Sequence, residues 1–195
     1  MTGARSGRPR KHAGRARPRP HLAALSTQEK GELLDELLRA RPELSDVAEE
    51  IARRRLTATD RDGVAEDVEW NVKSHSHLEI GERAGRQPSG GYVDPTEAAW
   101  EILHEDVEPH LAEIGRLAKL GLDEAARETG LGVLAGLYAC EGEAPPETVL
   151  EWTPDFPQEA AWGVMGALKA SGVALDVEAI EEVAPGWAAG LLREG

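Results

Sequence analysis

The chain has 195 residues, with 22 basic against 36 acidic groups, a formal charge of −14 and 41% apolar residues. That length supports one compact domain or at most two small ones, and the apolar fraction is too high for a disordered chain. A single cysteine, Cys140, excludes an internal disulfide framework and any multi-cysteine metal site. The longest apolar-plus-glycine run, the eleven residues Gly130 to Cys140, is too short to span a bilayer. A cytoplasmic protein with no membrane association is expected.

Residues 1–20 carry seven cations (Arg5, Arg8, Arg10, Lys11, Arg15, Arg17, Arg19) and no acid, leaving the other 175 residues with a net charge of −21. Prolines interrupt any helix there, and no apolar side chain longer than alanine occurs between Thr2 and His21. Such a segment buries too little to offset its ordering entropy, so a disordered basic arm is expected. Three roles are open to it. It could contact nucleic-acid phosphates, associate with the protein's own acidic body, or be an unselected extension, which the ratio of 17 Arg to 5 Lys would fit. No aromatic residue interleaves the cations to stack bases. Neither a secretory signal nor a mitochondrial transit peptide is matched.

From residue 22 to 193 the pattern predicts a single all-α domain of seven to nine helices, in antiparallel hairpins stacked as a helical-repeat-like bundle, with possible sub-units 22–56, 60–140 and 145–193. Ser26 and Glu29 form a capping box, and Leu33, Leu34, Leu37 and Leu38 follow on one face. Pro42 begins a second helix with Leu44, Val47, Ala48 and Ile51 at helical spacing, closed by Arg53, Arg54 and Arg55 at its negative pole. A helical hairpin with an almost loopless corner is expected. Residues 57–63 read as a linker. Val64, Val68 and Val72 then stripe a third helix, with Trp70 off the stripe by about 200°.

A short helical stretch with Leu78 and Ile80 precedes a loop from Arg86 to Pro95, after which Asp94, Pro95 and Glu97 open the next helix. Ala98, Ala99, Ile102, Leu103 and Val107 continue it until Pro109, which should kink or break it. Leu111, Ile114, Leu117 and Ala118 resume the pattern to Gly121. Residues 122–139 are apolar nearly all round and read as the central helix. Helices at 157–170, 176–183 and 185–193 finish the chain.

Between Glu97 and Tyr138 the order is helix, a corner at Leu120-Gly121-Leu122, and helix, with Ala125-Ala126 at the start of the second. This resembles the helix–turn–helix units of tetratricopeptide-like repeat proteins. The opening Leu25-Ser26, Leu33-Leu34 and Pro42-Glu43-Leu44 is similar to the helical regions that accompany SWIM zinc fingers in bacterial proteins, without the Cys-x-Cys and Cys-x-His ligands. These resemblances cover about residues 22–140 and imply a helical-repeat interaction scaffold. They carry over no functional residue.

Gly130, Gly132 and Gly136 lie inside a helix with no strand before them, so they suit close helix approach rather than dinucleotide binding. His75, His77, His104 and His110 match no metal-ligand spacing, and no metal or cofactor is expected. Cys140 lies beside Glu141, with Glu143 close by, which disfavours a thiolate, and no Gly-x-Ser-x-Gly elbow occurs. The remaining candidate binding residues are Gly90, Gly91 and Tyr92 in the loop, and Trp70. For Tyr92 the competing reading is packing over the helix start. Residues 120–195, with 14 acids and three bases, form either a solvated surface or an acidic groove for a basic partner. The chain therefore reads as a non-catalytic protein-interaction or scaffold module with a protein partner. Nucleic-acid association through residues 1–20 is the alternative, and a helical enzyme using the histidines of 75–110 a third.

Overall fold

The computed structural model describes residues 20–86, 90–142 and 144–194. The protein is all-α: ten α-helices among the described residues, two 3₁₀ turns and one pair of two-residue strands. The chain divides into two compact units, residues 1–50 and 51–195. Among the described residues no helix is long and apolar enough to cross a membrane. The seven arm cations lie outside the described residues, as does Ser89 of the glycine loop.

The first unit contains α1 (Pro20–Ala24), α2 (Thr27–Ala40), a 3₁₀ turn (Pro42–Leu44) and the start of α3 (Ser45–Leu56). The expected capping box closes α2: the Ser26 amide donates to Glu29 at 2.8 Å, and the Glu29 amide donates back to the Ser26 hydroxyl at 3.3 Å. Pro42 starts the 3₁₀ turn, so α3 begins three residues later than proline at the first position predicts. The tight hairpin is not realised. α2 packs on the 3₁₀ turn, neither α2 nor α3 contains a buried residue, and Leu33, Leu34, Leu37 and Val47 are all exposed. A helix packed on a three-residue turn shares too little surface with it to exclude water from leucines spread along its length.

The second unit is built around α7 (Asp123–Ala139), which packs against α4 (Arg61–Ser74), α6 (Pro95–Lys119), α8 (Phe156–Ala170) and α9 (Val177–Val183). Central placement follows from composition: ten residues of α7 are buried, on all sides of the helix. The glycines decide how closely its neighbours approach. A β-carbon on Gly132 would sit 2.7 Å from the Arg61 carbonyl oxygen, and one on Gly130 would sit 2.9 Å from a Leu168 methyl. Arg61 adds a clasp at the start of α4, donating from Nε at 2.8 Å and from a terminal nitrogen at 3.2 Å to Glu128 of α7. The linker expected at 57–63 is shorter, because Asp60 caps α4 through the Gly63 amide and the helix begins at Arg61.

Of the expected kink or break at Pro109, the break does not occur: α6 is continuous from Pro95 to Lys119. Pro109 and Glu105 are both on the exposed side, so the carbonyl freed one turn earlier meets solvent. On the other side Ile102, Leu103, Val107, Ile114 and Leu117 are buried and hold both halves to the core. Tertiary packing outweighs the local penalty. Gly121, at φ +70°, turns the chain from α6 into α7. The strands β1 (Gly85–Arg86) and β2 (Tyr92–Val93) pair antiparallel across the loop before α6 and were not predicted. α10 (Ala188–Glu194) closes the unit, starting after a turn at Pro185 rather than at it.

Candidate functional site

The sequence candidates are scattered. Trp70 projects from the outer side of α4, 72% exposed, above a shallow depression shared with Glu66, Glu69 and Lys73. Tyr92 is 70% exposed on β2. Gly90 takes φ +95° to enter the strand pair, a conformational reason for its identity, and Gly91 beside it is exposed. Cys140 is buried, with its thiol 3.2 Å from the Gly136 carbonyl oxygen.

The four histidines go to four different settings. His104, on the exposed side of α6, meets Trp100 at a tilt at 5.9 Å and Phe156 edge-to-face at 5.5 Å. His110 borders a groove of about 420 Å³ with Arg55, Asp60, Asp67 and Glu113. His77 uses both its amide and Nδ1 to donate to the Glu147 carbonyl, each at 2.9 Å. Glu147 itself sits at φ 62°, the only non-glycine described residue in the left-handed region, and its amide donates to Glu151 at 3.0 Å. No group of three or more His, Cys, Asp or Glu side chains among the described residues is arranged to hold a metal ion.

His75 is different. It follows the last turn of α4, and α5 (His77–Arg83) starts two residues on with Ser76 as its cap. Its Nδ1 lies 2.8 Å from Glu79 Oε2 on α5, and its Nε2 lies 2.9 Å from Asp106 Oδ2 on α6. The ring is thus held between two carboxylates from two helices. Burial pushes its pKa down, but Glu79 and Asp106 together outweigh this and hold it above the usual histidine value. The hydrogen bond from His75 holds Glu79 below the usual carboxylate value, while burial raises Asp106 despite the adjacent imidazole. With both ring nitrogens occupied, His75 has no lone pair to offer a metal. The Glu79 partner stands four residues along and was visible in the sequence. Asp106 stands thirty-one residues away, and no local pattern marks it.

What the sequence reading missed altogether is the surface of the first unit. Leu33, Leu34 and Leu37 lie along α2 as an exposed apolar stripe, Leu34 at 48%. A helical stripe of this kind, read from sequence, is indistinguishable from a core-facing one. An apolar groove of about 350 Å³ in the second unit, lined by Met165, Leu168, Lys169, Val173, Leu175 and Leu191, is a further concavity.

No family model, curated protein or solved structure matches this chain.

Proposed function

We propose that the chain is a non-catalytic protein-interaction module of the helical-scaffold kind, working in the cytoplasm, with α2 as its binding face. The exposed stripe Leu33, Leu34 and Leu37 on a fully capped helix carries this reading. A 14-residue helix is marginal by itself in water, and α2 has no buried residue with which to anchor it. Each leucine moved from water into a partner's groove would stabilise a complex by about 1.5–3 kcal/mol before ordering costs. Partner helices dock on such i, i+3, i+4 stripes. The test is differential capture with the full chain. Leu34→Glu/Leu37→Glu should lose a partner that Trp70→Ser retains, with unchanged circular dichroism for both. An identical captured set from all three proteins would remove α2 as the binding face.

A second reading rests on charge segregation. Seven cations in the first twenty residues stand against −21 in the rest, so phosphate contact would be confined to the arm. This reading makes the chain nucleic-acid-associated.

A further inference from the structure

We propose that His75 is a proton-operated latch that holds the corner between α4 and α5 onto α6, closed when the imidazole carries both protons and loosened when it loses one. Geometry requires this. Both neighbours, Glu79 Oε2 at 2.8 Å and Asp106 Oδ2 at 2.9 Å, are carboxylate oxygens, which only accept. A neutral imidazole has one N–H and one lone pair. In either tautomer that lone pair faces a carboxylate oxygen at under 3 Å, and one charge-assisted hydrogen bond becomes a repulsion.

The corner is where this matters, because His75 gathers three segments. Its backbone carbonyl accepts from the Val149 amide at 2.9 Å, tying in the segment before α8. The other carboxylate oxygen of Glu79 accepts from the Ser76 amide at 2.9 Å, so Glu79 links the ring to the cap of α5. The charged groups around the corner divide into those that respond and those that do not. On α5 these are Glu79 and Arg83, and on α6 Glu105 and Asp106. Arg83 donates to Glu105 through both terminal nitrogens, at 2.7 and 2.6 Å, so the far end of α5 stays clasped to α6 at any pH near neutrality. On α4, Lys73 pairs with Glu69 at 2.9 Å. In the segment before α8, Glu151 accepts from the Glu147 amide. His77 keeps its bond in both protonation states, because Nδ1 donates to a carbonyl, which a neutral tautomer also does. Among the described histidines His75 is the one whose proton couples three elements. With Arg83 holding one end, loss of that proton hinges the corner open rather than detaching α5.

The experiment is residue-resolved NMR on the full chain: a titration of the His75 ring, and hydrogen exchange at pH 6 and pH 9 corrected for intrinsic rates. The ring is expected to titrate above the ordinary histidine value. Protection of the Ser76, Glu79 and Val149 amides is expected to fall roughly tenfold or more between the two conditions, the equilibrium effect of one charge-assisted hydrogen bond. Amides within α7 should keep their protection. Asp106→Asn supplies the decisive control. Its amide can donate to Nε2 while Nδ1–H donates to Glu79, so a neutral imidazole is satisfied on both sides and the fall in protection should disappear. A ring that titrates at or below the ordinary value, protection that is constant with pH, a parallel loss in α7, or a full response in Asp106→Asn would each overturn the latch. The wild-type titration decides the matter even if the variant does not fold.

Discussion

Gly136 of α7 lies so close to α4 that a β-carbon placed on it would come within 2.6 Å of the Ala65 carbonyl oxygen and 2.8 Å of the Val68 β-carbon. The obstacle on one side is backbone, which cannot rotate away as a side chain can. Gly136→Ala should therefore force α4 outward and destabilise the protein by about 1–3 kcal/mol or more, measured by urea unfolding. Gly166, inside α8 and exposed with nothing within 4 Å of its would-be β-carbon, is the opposite case. Gly166→Ala should stabilise by about 0.5–1 kcal/mol through lower backbone entropy in the unfolded chain. Equal effects at the two positions would contradict the close packing of α4 on α7.

Leu34 and Leu134 separate the two kinds of apolar stripe. Leu134 is fully buried at the centre of α7, whereas nearly half of Leu34 is open to solvent on α2. Leu134→Asp places a carboxylate among apolar side chains and should abolish the cooperative thermal transition. Leu34→Asp should change stability by no more than about 0.5 kcal/mol. A large loss from Leu34→Asp would mean that the α2 stripe is an internal contact rather than a free face.

Pro109 interrupts the hydrogen-bond ladder of α6 on its exposed side. Replacing it by alanine restores one amide and removes the ring's clash with the preceding turn. Since proline inside a helix is about 3 kcal/mol less favourable than alanine, Pro109→Ala should raise stability by roughly 1–3 kcal/mol, visible as a higher Tm. An unchanged or lower Tm would show that the proline selects a helix curvature the core requires.

Stability should depend on pH through the same corner that holds His75. The folded pKa of His75 lies above its unfolded value, so its contribution is complete below the ordinary histidine value and is lost as pH rises through the raised one. Glu79 behaves oppositely: its folded pKa is lowered, so its contribution is present above the ordinary glutamate value and lost as pH falls through the lowered one. Asp106, raised by burial, gives up stability as it ionises and so partly offsets Glu79 in the acid range. Urea unfolding from pH 4 to 9 should show highest stability on the mildly acidic to neutral side, and His75→Gln should flatten its alkaline edge. An alkaline edge that survives in His75→Gln would assign it to another group.

The arm offers a test of the nucleic-acid reading. If the protein binds duplex DNA or RNA, removing residues 1–20 should abolish binding while leaving helicity and Tm unchanged, because beyond Met1 that segment holds no apolar side chain larger than alanine or proline to bury. Affinity should fall with salt at a logarithmic slope of up to about −6 if all seven cations engage phosphates. Binding that survives the deletion would place a recognition surface on the acidic remainder of the chain.

The residues that make and end helices act within about four positions of one another, and these were legible in the chain. The Ser26–Glu29 box, the Asp94–Pro95–Glu97 start of α6 and the all-round apolar character of α7 each follow from local hydrogen bonding and periodicity. The crowding role of Gly130, Gly132 and Gly136 followed from their lying mid-helix with no strand before them. Tertiary structure alone decided which stripes were covered. Leu33, Leu34 and Leu37 lie on one helix face as Ile102, Leu103 and Val107 do, yet only the second set is buried. It also decided that Pro109 could be tolerated, because it lies on the solvent side of α6, where the orphaned carbonyl can be hydrated, while buried side chains on both sides of it hold the helix to the core. The pairing of His75 with Asp106 spans thirty-one residues and arises only when α6 folds back alongside the α4–α5 corner. Helix propensity is a short-range property of the chain, whereas burial and ion pairing depend on which distant segments arrive.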